Sequence, residues 1–143
     1  MLIRSLRDCQ KVIAGDHSVL RELLHPNKVA MKLRYSLAHA TVLPGRKSVL
    51  HRLRASEVYY ILGGRGVMHI DGEQRAVHAG QAIYIPPNAR QYITALGRTP
   101  LRFLCIVDPA WRKQDEIVVR EELKAQNPKS KQSPKSKCRT RFR

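Results

Sequence analysis

The sequence predicts an all-β fold, either a sandwich or a barrel of short strands. From Lys32 onward, apolar and polar residues alternate as they do along half-buried strands. Turn-forming Gly, Pro, Asn and Asp residues separate these runs at short intervals. The length of 143 residues suits one domain with a single core. Together these observations predict an all-β sandwich or barrel.

Seven runs of alternating residues are predicted to form the strands of this barrel. They cover residues 34–43, 48–54, 58–62, 67–70, 82–85, 91–96 and 101–107. The glycine-rich residues 63–66 fall between two short strands, so they predict a hairpin turn and not a phosphate-binding loop. Residues 115–123 fit either a strand or a short helix.

The chain is predicted to divide into three parts. Residues 1–32 form a lead-in packed on the barrel, residues 33–123 form the barrel, and residues 124–143 form a basic disordered tail. Within the lead-in, Asp16 is expected to cap a short helix over residues 18–24. That helix would end at His25, because the residue before a proline is pushed out of the helical region.

The net charge of +16 is unevenly distributed. Residues 124–143 contain eight basic residues and no acidic one, in a segment rich in Ser, Pro and Gln. This composition predicts a disordered, solubilising extension, with nonspecific nucleic-acid or polyanion contact as the functional alternative. The sequence has no long apolar run, no secretory leader pattern and three widely spaced cysteines, so we expect a cytoplasmic protein without membrane contact.

A first motif combines glycines with ionisable side chains at fixed spacing. Gly45 is followed after five residues by His51, and Glu57 is followed after six residues by Gly64. Leu53 stands two positions after His51. His51, Leu53, Glu57 and Tyr59 share one parity, so one continuous strand register would place them on the same side of a sheet, with Tyr60 on the opposite side.

A second motif begins at Gly80. Five residues later the chain reads Pro86-Pro87-Asn88, and Gln91 and Ala95 follow. Asn tolerates a left-handed turn conformation, so Asn88 can serve where a tight loop calls for glycine.

With these two motifs the chain resembles the cupin superfamily from about Gly45 to Ala95. The resemblance implies a double-stranded β-helix, or jelly-roll, barrel that holds a small-molecule ligand. It also implies a homodimer, for which the apolar N-terminal residues and the region of Trp111 are candidate interfaces; Trp111 could equally be a lid. The stretch from His51 through Glu57 to Gly64, and then Pro86, is also similar to the cupin domain of type II phosphomannose isomerases.

The resemblance implies a divalent-metal site in altered form. The four ligand positions of metal-binding cupins correspond here to His51, Leu53, Glu57 and Gln91. Leu53 cannot bind a metal, and the amide oxygen of Gln91 is a weaker donor than imidazole for a transition metal such as Zn, Mn, Fe or Ni. The implied ligands are therefore His51, Glu57 and Gln91.

Three interpretations of this site stay open from the sequence. The first is a metal held by the three implied ligands and completed by water or substrate. In the second, His39, His69 or Tyr59 takes the place of Leu53 as a ligand. In the third, no metal binds, and His51 and Glu57 form a hydrogen-bonded polar pair in a ligand pocket.

The functional expectation follows from the same residues. Glu57 is the candidate catalytic residue, and Tyr59 and Gln91 are candidate substrate-binding residues. The isomerase resemblance implies a sugar-phosphate-like ligand and isomerisation by proton transfer, with Glu57 as the base if no metal is bound. The alternatives are a noncatalytic ligand-sensing module that contacts polyanions through its tail, and a metal-dependent oxygenase.

Overall fold

The computed structural model describes residues 1–120. The alternation of apolar and polar residues seen in the sequence corresponds there to an all-β fold. These residues form eleven strands. The strands are β1 (Lys11–Ile13), β2 (Val19–Leu24), β3 (Ser36–Val42), β4 (His51–Leu53), β5 (Ser56–Gly63), β6 (Arg65–Ile70), β7 (Glu73–His78), β8 (Ala82–Ile85), β9 (Gln91–Leu96), β10 (Leu101–Asp108) and β11 (Glu116–Val118). The all-β prediction is confirmed.

The strands form two antiparallel sheets that close on each other as a double-stranded β-helix barrel. One sheet has the order β1-β2-β3-β10-β5-β8, and the other has the order β11-β4-β9-β6-β7. Along β10 every second residue is buried, which directs Leu101, Phe103, Cys105 and Val107 to the interior. Period-two burial of this kind fixes the inner face of each strand.

The apolar core occupies one end of the barrel. Ile61, Ile93, Leu101 and Phe103 have almost no exposed surface there. Burying an aliphatic or aromatic side chain of this size stabilises a fold by about 1.5–3 kcal/mol. The opposite end is less tightly filled and contains the site described below.

Observed strands lie at all seven predicted runs, but neither the short β1 nor the longer β7 was predicted. The reason is clear for β7. Its sequence, Glu73 to His78, is polar, and only Val77 is buried. β7 pairs with β6 alone at the edge of its sheet. An edge strand with little buried surface carries no alternating apolar pattern, so its place in the fold depends on its partner strand.

The helix predicted over residues 18–24 is wrong, because Val19–Leu24 is strand β2. Asp16 Oδ1 accepts hydrogen bonds from the backbone N–H and the hydroxyl of Ser18. A helix cap and the turn of a hairpin use the same side chain-to-backbone bond, so the residue type could not distinguish them. β2 pairs with both β1 and β3, and in the lead-in only the single 3-10 turn Leu6–Asp8 is helical.

Two tight turns are formed by residues that tolerate a positive φ. Gly64 has φ +78°, and a Cβ there would lie 2.4 Å from the carbonyl oxygen of Pro100. Asn88 has φ 65°, as predicted for its place in the second motif, and its N–H donates to the carbonyl of Leu53 over 2.7 Å. This bond joins the loop of the second motif to strand β4 of the first.

The ambiguous segment near the end of the barrel contains both kinds of structure. A single 3-10 turn, Lys113–Asp115, leads into β11, which pairs with β4. The predicted tail, residues 124–143, lies outside the described residues. Within residues 1–120, no helix has the length and apolar character needed to cross a membrane.

Candidate functional site

A cavity of about 460 Å³ opens at the less tightly filled end of the barrel. The hairpin of β1 and β2 forms one wall, β3, β5 and β10 form another, and β4 with β11 closes the opposite side. Apolar side chains line much of this space, with a small set of polar groups among them. Such a combination is typical of a small-molecule pocket.

The first motif brings His51, Glu57 and Tyr59 to this cavity. His51 and Leu53 lie on β4 in one sheet, whereas Glu57 and Tyr59 lie on β5 in the other. The residues between β4 and β5 carry the chain across the barrel, so the two pairs face the same interior from opposite sheets. All four side chains are buried and line the cavity, as their shared parity predicts.

A chain of hydrogen bonds holds Glu57 in place. The Tyr59 hydroxyl donates to Gln91 Oε1 over 3.1 Å, and Gln91 Nε2 donates to Glu57 Oε1 over 2.9 Å. Gln91 is only 1% exposed and lies behind Glu57 and Tyr59, outside the lining of the cavity. Its amide therefore orients the carboxyl group of Glu57, and its carbonyl oxygen is engaged by Tyr59.

His51 is oriented by the backbone. Its Nδ1 lies 2.8 Å from the carbonyl oxygen of Val49. Because a carbonyl can only accept, Nδ1 carries the proton and Nε2 is directed to the cavity side of the ring. Val49 N–H in turn donates to the carbonyl of Asp16 over 2.7 Å, so the β1–β2 turn and His51 are fixed to the same backbone segment.

Burial raises the pKa of Glu57 to about 7. The hydrogen bond from Gln91 and the nearby His51 oppose this shift, and the neighbouring carboxyls of Asp16 and Glu116 add to it. A carboxyl group with such a pKa is present in both protonation states near neutral pH. It can therefore accept or donate a proton without a large energetic cost.

Two acidic residues of the site, Asp16 and Glu116, were not predicted as functional residues. Asp16 lies in the turn between β1 and β2, and Glu116 begins β11. The carboxyl group of Glu116 lies against the backbone of Gly15, the neighbour of Asp16, since a Cβ built at Gly15 would lie 3.4 Å from Glu116 Oε2. Both residues come from outside the two motifs, and no local pattern in the sequence marks them. Only closure of the barrel brings them to Glu57.

The donor groups do not fit the implied metal site. Leu53 offers a hydrocarbon, and both polar atoms of the Gln91 amide are committed to Glu57 and Tyr59. His51 Nε2 and Glu57 are the two donors of the implied set that remain. Across the part of the chain that the structure describes, no group of three or more His, Cys, Asp or Glu side chains is arranged to hold a metal ion.

Of the three side chains considered as substitutes for Leu53, Tyr59 lines the cavity but its hydroxyl donates to Gln91, and the two histidines lie elsewhere. His39 lies on the outer face of β3, where burial and the nearby Arg102 and Arg21 lower its pKa. His69 lies on the outer face of β6 and stacks on Tyr92 with ring centroids 4.0 Å apart. Neither histidine lines the cavity. The hydrogen bond of the third interpretation is not formed either, because Glu57 accepts from Gln91 and His51 Nδ1 faces the carbonyl of Val49. His51 and Glu57 are two separately held polar groups that line one cavity.

The comparison with known proteins agrees with this barrel. Residues 38–107 match the model of the cupin domain family. An uncharacterised protein of Methanocaldococcus jannaschii is 44% identical over 108 residues, which is 75% of this chain and 86% of that relative. The chain belongs to the cupin family. The predicted recognition is thereby confirmed, and the pocket is the interior site of a cupin barrel.

Other relatives of this cupin have assigned names. The oxalate-binding protein of Thermotoga maritima is 29% identical over 106 residues, covering 73% of this chain and 83% of that protein. The mannose-1-phosphate guanylyltransferase of Escherichia coli is 27% identical over 127 residues, covering 80% of this chain but only 26% of the enzyme. This cupin thus aligns with about a quarter of a longer protein, in line with the predicted resemblance.

Among solved structures, the Streptomyces nucleoside dehydratase Pac13 has the same fold. It superposes with a TM-score of 0.67 at 20% identity, covering 83% of this chain and 91% of Pac13. At this identity the likeness shows the barrel alone.

Proposed function

We propose that this cupin is an isomerase-like enzyme that moves a proton on a small sugar-type substrate, with Glu57 as the acid–base group. The observation that carries the proposal is the position of Glu57. Its carboxyl group is buried on the wall of a cavity, faces His51 from the other sheet and is held by Gln91. The pKa of about 7 supports the same role.

The two facing groups can together complete an isomerisation. The Glu57 carboxylate takes the proton from the carbon next to a carbonyl group and returns it to the neighbouring carbon. His51 Nε2 takes the proton of the adjacent hydroxyl and delivers it to the carbonyl oxygen. Both protons are conserved, and the reaction requires no oxidant or reductant. General acid–base catalysis of this kind contributes about 10²–10⁴-fold to a rate.

The sugar-type substrate is proposed on two grounds. The cavity has the size of a small-molecule site and combines apolar walls with carboxyl groups that accept hydrogen bonds from hydroxyls. In addition, the relative from Escherichia coli, which spans 80% of this chain, acts on mannose 1-phosphate by its name.

Solvent-deuterium exchange tests the reaction without knowledge of the product. The protein is incubated in D₂O with a panel of aldoses, ketoses and hexosamines, and NMR follows deuterium at the carbons next to the carbonyl. We expect incorporation that is lost in Glu57→Gln and kept in Tyr60→Phe, whose tyrosine lies on the outer face of β5. A panel that binds without any exchange would favour the noncatalytic binding module instead. The oxygenase alternative draws no support from a two-donor site.

A homodimer is a separate part of the proposal. The outer face of the six-stranded sheet exposes Tyr60 and Leu62 on β5 and Tyr84 on β8. Trp111, predicted as a lid or an interface residue, lines the cavity and is partly exposed. We expect sedimentation to show a dimer that Tyr84→Arg weakens; an unchanged sedimentation coefficient would contradict this interface.

Polyanion contact through residues 124–143 remains a proposal that salt-dependent RNA binding would test.

A further inference from the structure

The cavity is acidic although the protein is strongly basic. Four carboxyl groups line it, those of Asp16, Glu22, Glu57 and Glu116, together with two lysines. One of the lysines, Lys28, is paired with Glu22 at 2.6 Å. The chain as a whole carries a net charge of +16. The acidic lining is therefore a local property of the pocket, and its charge is opposite in sign to the net charge of the protein.

Three of these carboxyls act on one another. Asp16 and Glu116 both raise the pKa of Glu57, and Asp16 also raises the pKa of Glu116. The neighbouring His51 has the opposite effect and lowers the pKa of both glutamates. A hydrogen bond from the Trp111 side chain also lowers the pKa of Glu116.

His51 supplies an independent sign of a ligand. Its side chain is buried, lines the cavity and has Nδ1 engaged by Val49, yet Nε2 has no hydrogen-bond partner among residues 1–120. Among the described residues Nε2 is not one of the fully buried polar atoms without a partner, so it is accessible from the cavity and can accept a hydrogen bond there. The open atom on His51 therefore marks a place where a ligand donor, such as a hydroxyl or an ammonium group, completes the site.

We infer that the pocket takes a ligand with a positively charged nitrogen, of the amino-sugar class, and that Asp16 and Glu116 bind its ammonium group. Hydroxyls of the same ligand then reach His51 and Glu57. The inference deepens the proposed function, on which it rests for the sugar framework. It also separates this cupin from its oxalate-binding relative, because a dicarboxylate placed among these carboxyls would meet like charges.

A hexose series of graded charge tests the inference. Glucosamine, glucose and glucuronate share a ring and differ in charge, and binding of each is measured by calorimetry and by the rise in melting temperature at tens of millimolar ligand. We expect affinity to fall in that order. Glu116→Gln and Asp16→Asn should each weaken glucosamine about 10-fold or more, the effect of removing one charge-assisted hydrogen bond, and leave glucose little changed. The control Glu73→Gln alters an exposed carboxyl on β7.

Each outcome decides between the two proposals. Equal binding of the three sugars, tightest binding of glucuronate, or no binding of any of them would overturn the charge inference. Stoichiometric Mn²⁺ binding that Asp16→Asn abolishes would overturn it as well, because the carboxyls would then serve a metal. Glucosamine binding without deuterium exchange keeps the inference and removes the isomerase proposal. Deuterium exchange without a preference for the positively charged sugar would keep the isomerase proposal and remove the charge inference.

Discussion

Glu57 and Ile61 lie four residues apart on the same face of β5, yet they meet opposite surroundings. Ile61 has no exposed surface and packs in the apolar core. Glu57 is nearly as buried but faces the cavity, where its charged form is poorly solvated. One strand therefore carries both Ile61, whose burial stabilises the fold, and Glu57, whose burial as a charged group lowers the stability. The comparison suggests that changes at the two positions should separate stability from function.

The largest expected effect is on turnover at the cavity end. Glu57→Gln keeps the shape of the side chain and an oxygen that can accept from Gln91, but it removes the titrating group. We expect solvent-deuterium exchange to fall about 10²–10⁴-fold. Ile61→Val, a small change in the core, serves as the control and should leave the exchange rate nearly unchanged. Equal loss in both variants would remove the distinction between the two ends.

The packed end should show its effect in stability. Ile61→Ala leaves a cavity among Phe103, Leu101 and their neighbours, and we expect the free energy of unfolding to fall by about 2–5 kcal/mol. Denaturant titration measures the change. A loss below about 1 kcal/mol would show that the core can collapse around the missing atoms.

The pH dependence of stability should reveal the cost of burying Glu57. Its pKa rises from 4.5 to about 7 on folding, so between these pH values the native state binds more protons than the unfolded state. Stability conferred by this group therefore falls as pH rises through this range, and the penalty is complete above pH 7. We expect Glu57→Gln to gain on the order of 3 kcal/mol relative to wild type from the acidic to the alkaline side of the range. A pH-independent difference between the two proteins would contradict this.

The smallest effect is expected at Tyr59, which lines the cavity and donates to Gln91 behind it. Tyr59→Phe removes the donor to Gln91 and leaves a buried amide oxygen unpaired, so we expect a loss of about 1–3 kcal/mol in the free energy of unfolding. Tyr60→Phe on the exposed face should stay within about 0.5 kcal/mol. Because Gln91 also positions Glu57, Tyr59→Phe should in addition shift the pH profile of deuterium exchange. An unchanged profile would mean that Glu57 holds its position without this chain.

Much of the site was predictable because a strand has a period of two. That period placed His51, Leu53, Glu57 and Tyr59 on the inside and Tyr60 on the outside, as observed. The turn preference of Asn88 was also a local property and was confirmed. Local patterns failed where two structures share one signature, as at Asp16, whose side chain-to-backbone bond belongs to a hairpin turn and not to a helix cap.

The sequence by itself therefore determined the barrel, its two motifs and the inward direction of Glu57. Only the tertiary structure decided what Glu57 meets. Gln91 could have been a ligand, and closure of the sheets placed it behind the carboxyl group. Asp16 and Glu116 lie far apart in the sequence and reach the same cavity because β1–β2 and β11 extend opposite sheets. A period of two fixes the side to which a residue points, whereas the charge of a pocket depends on which strands close around it.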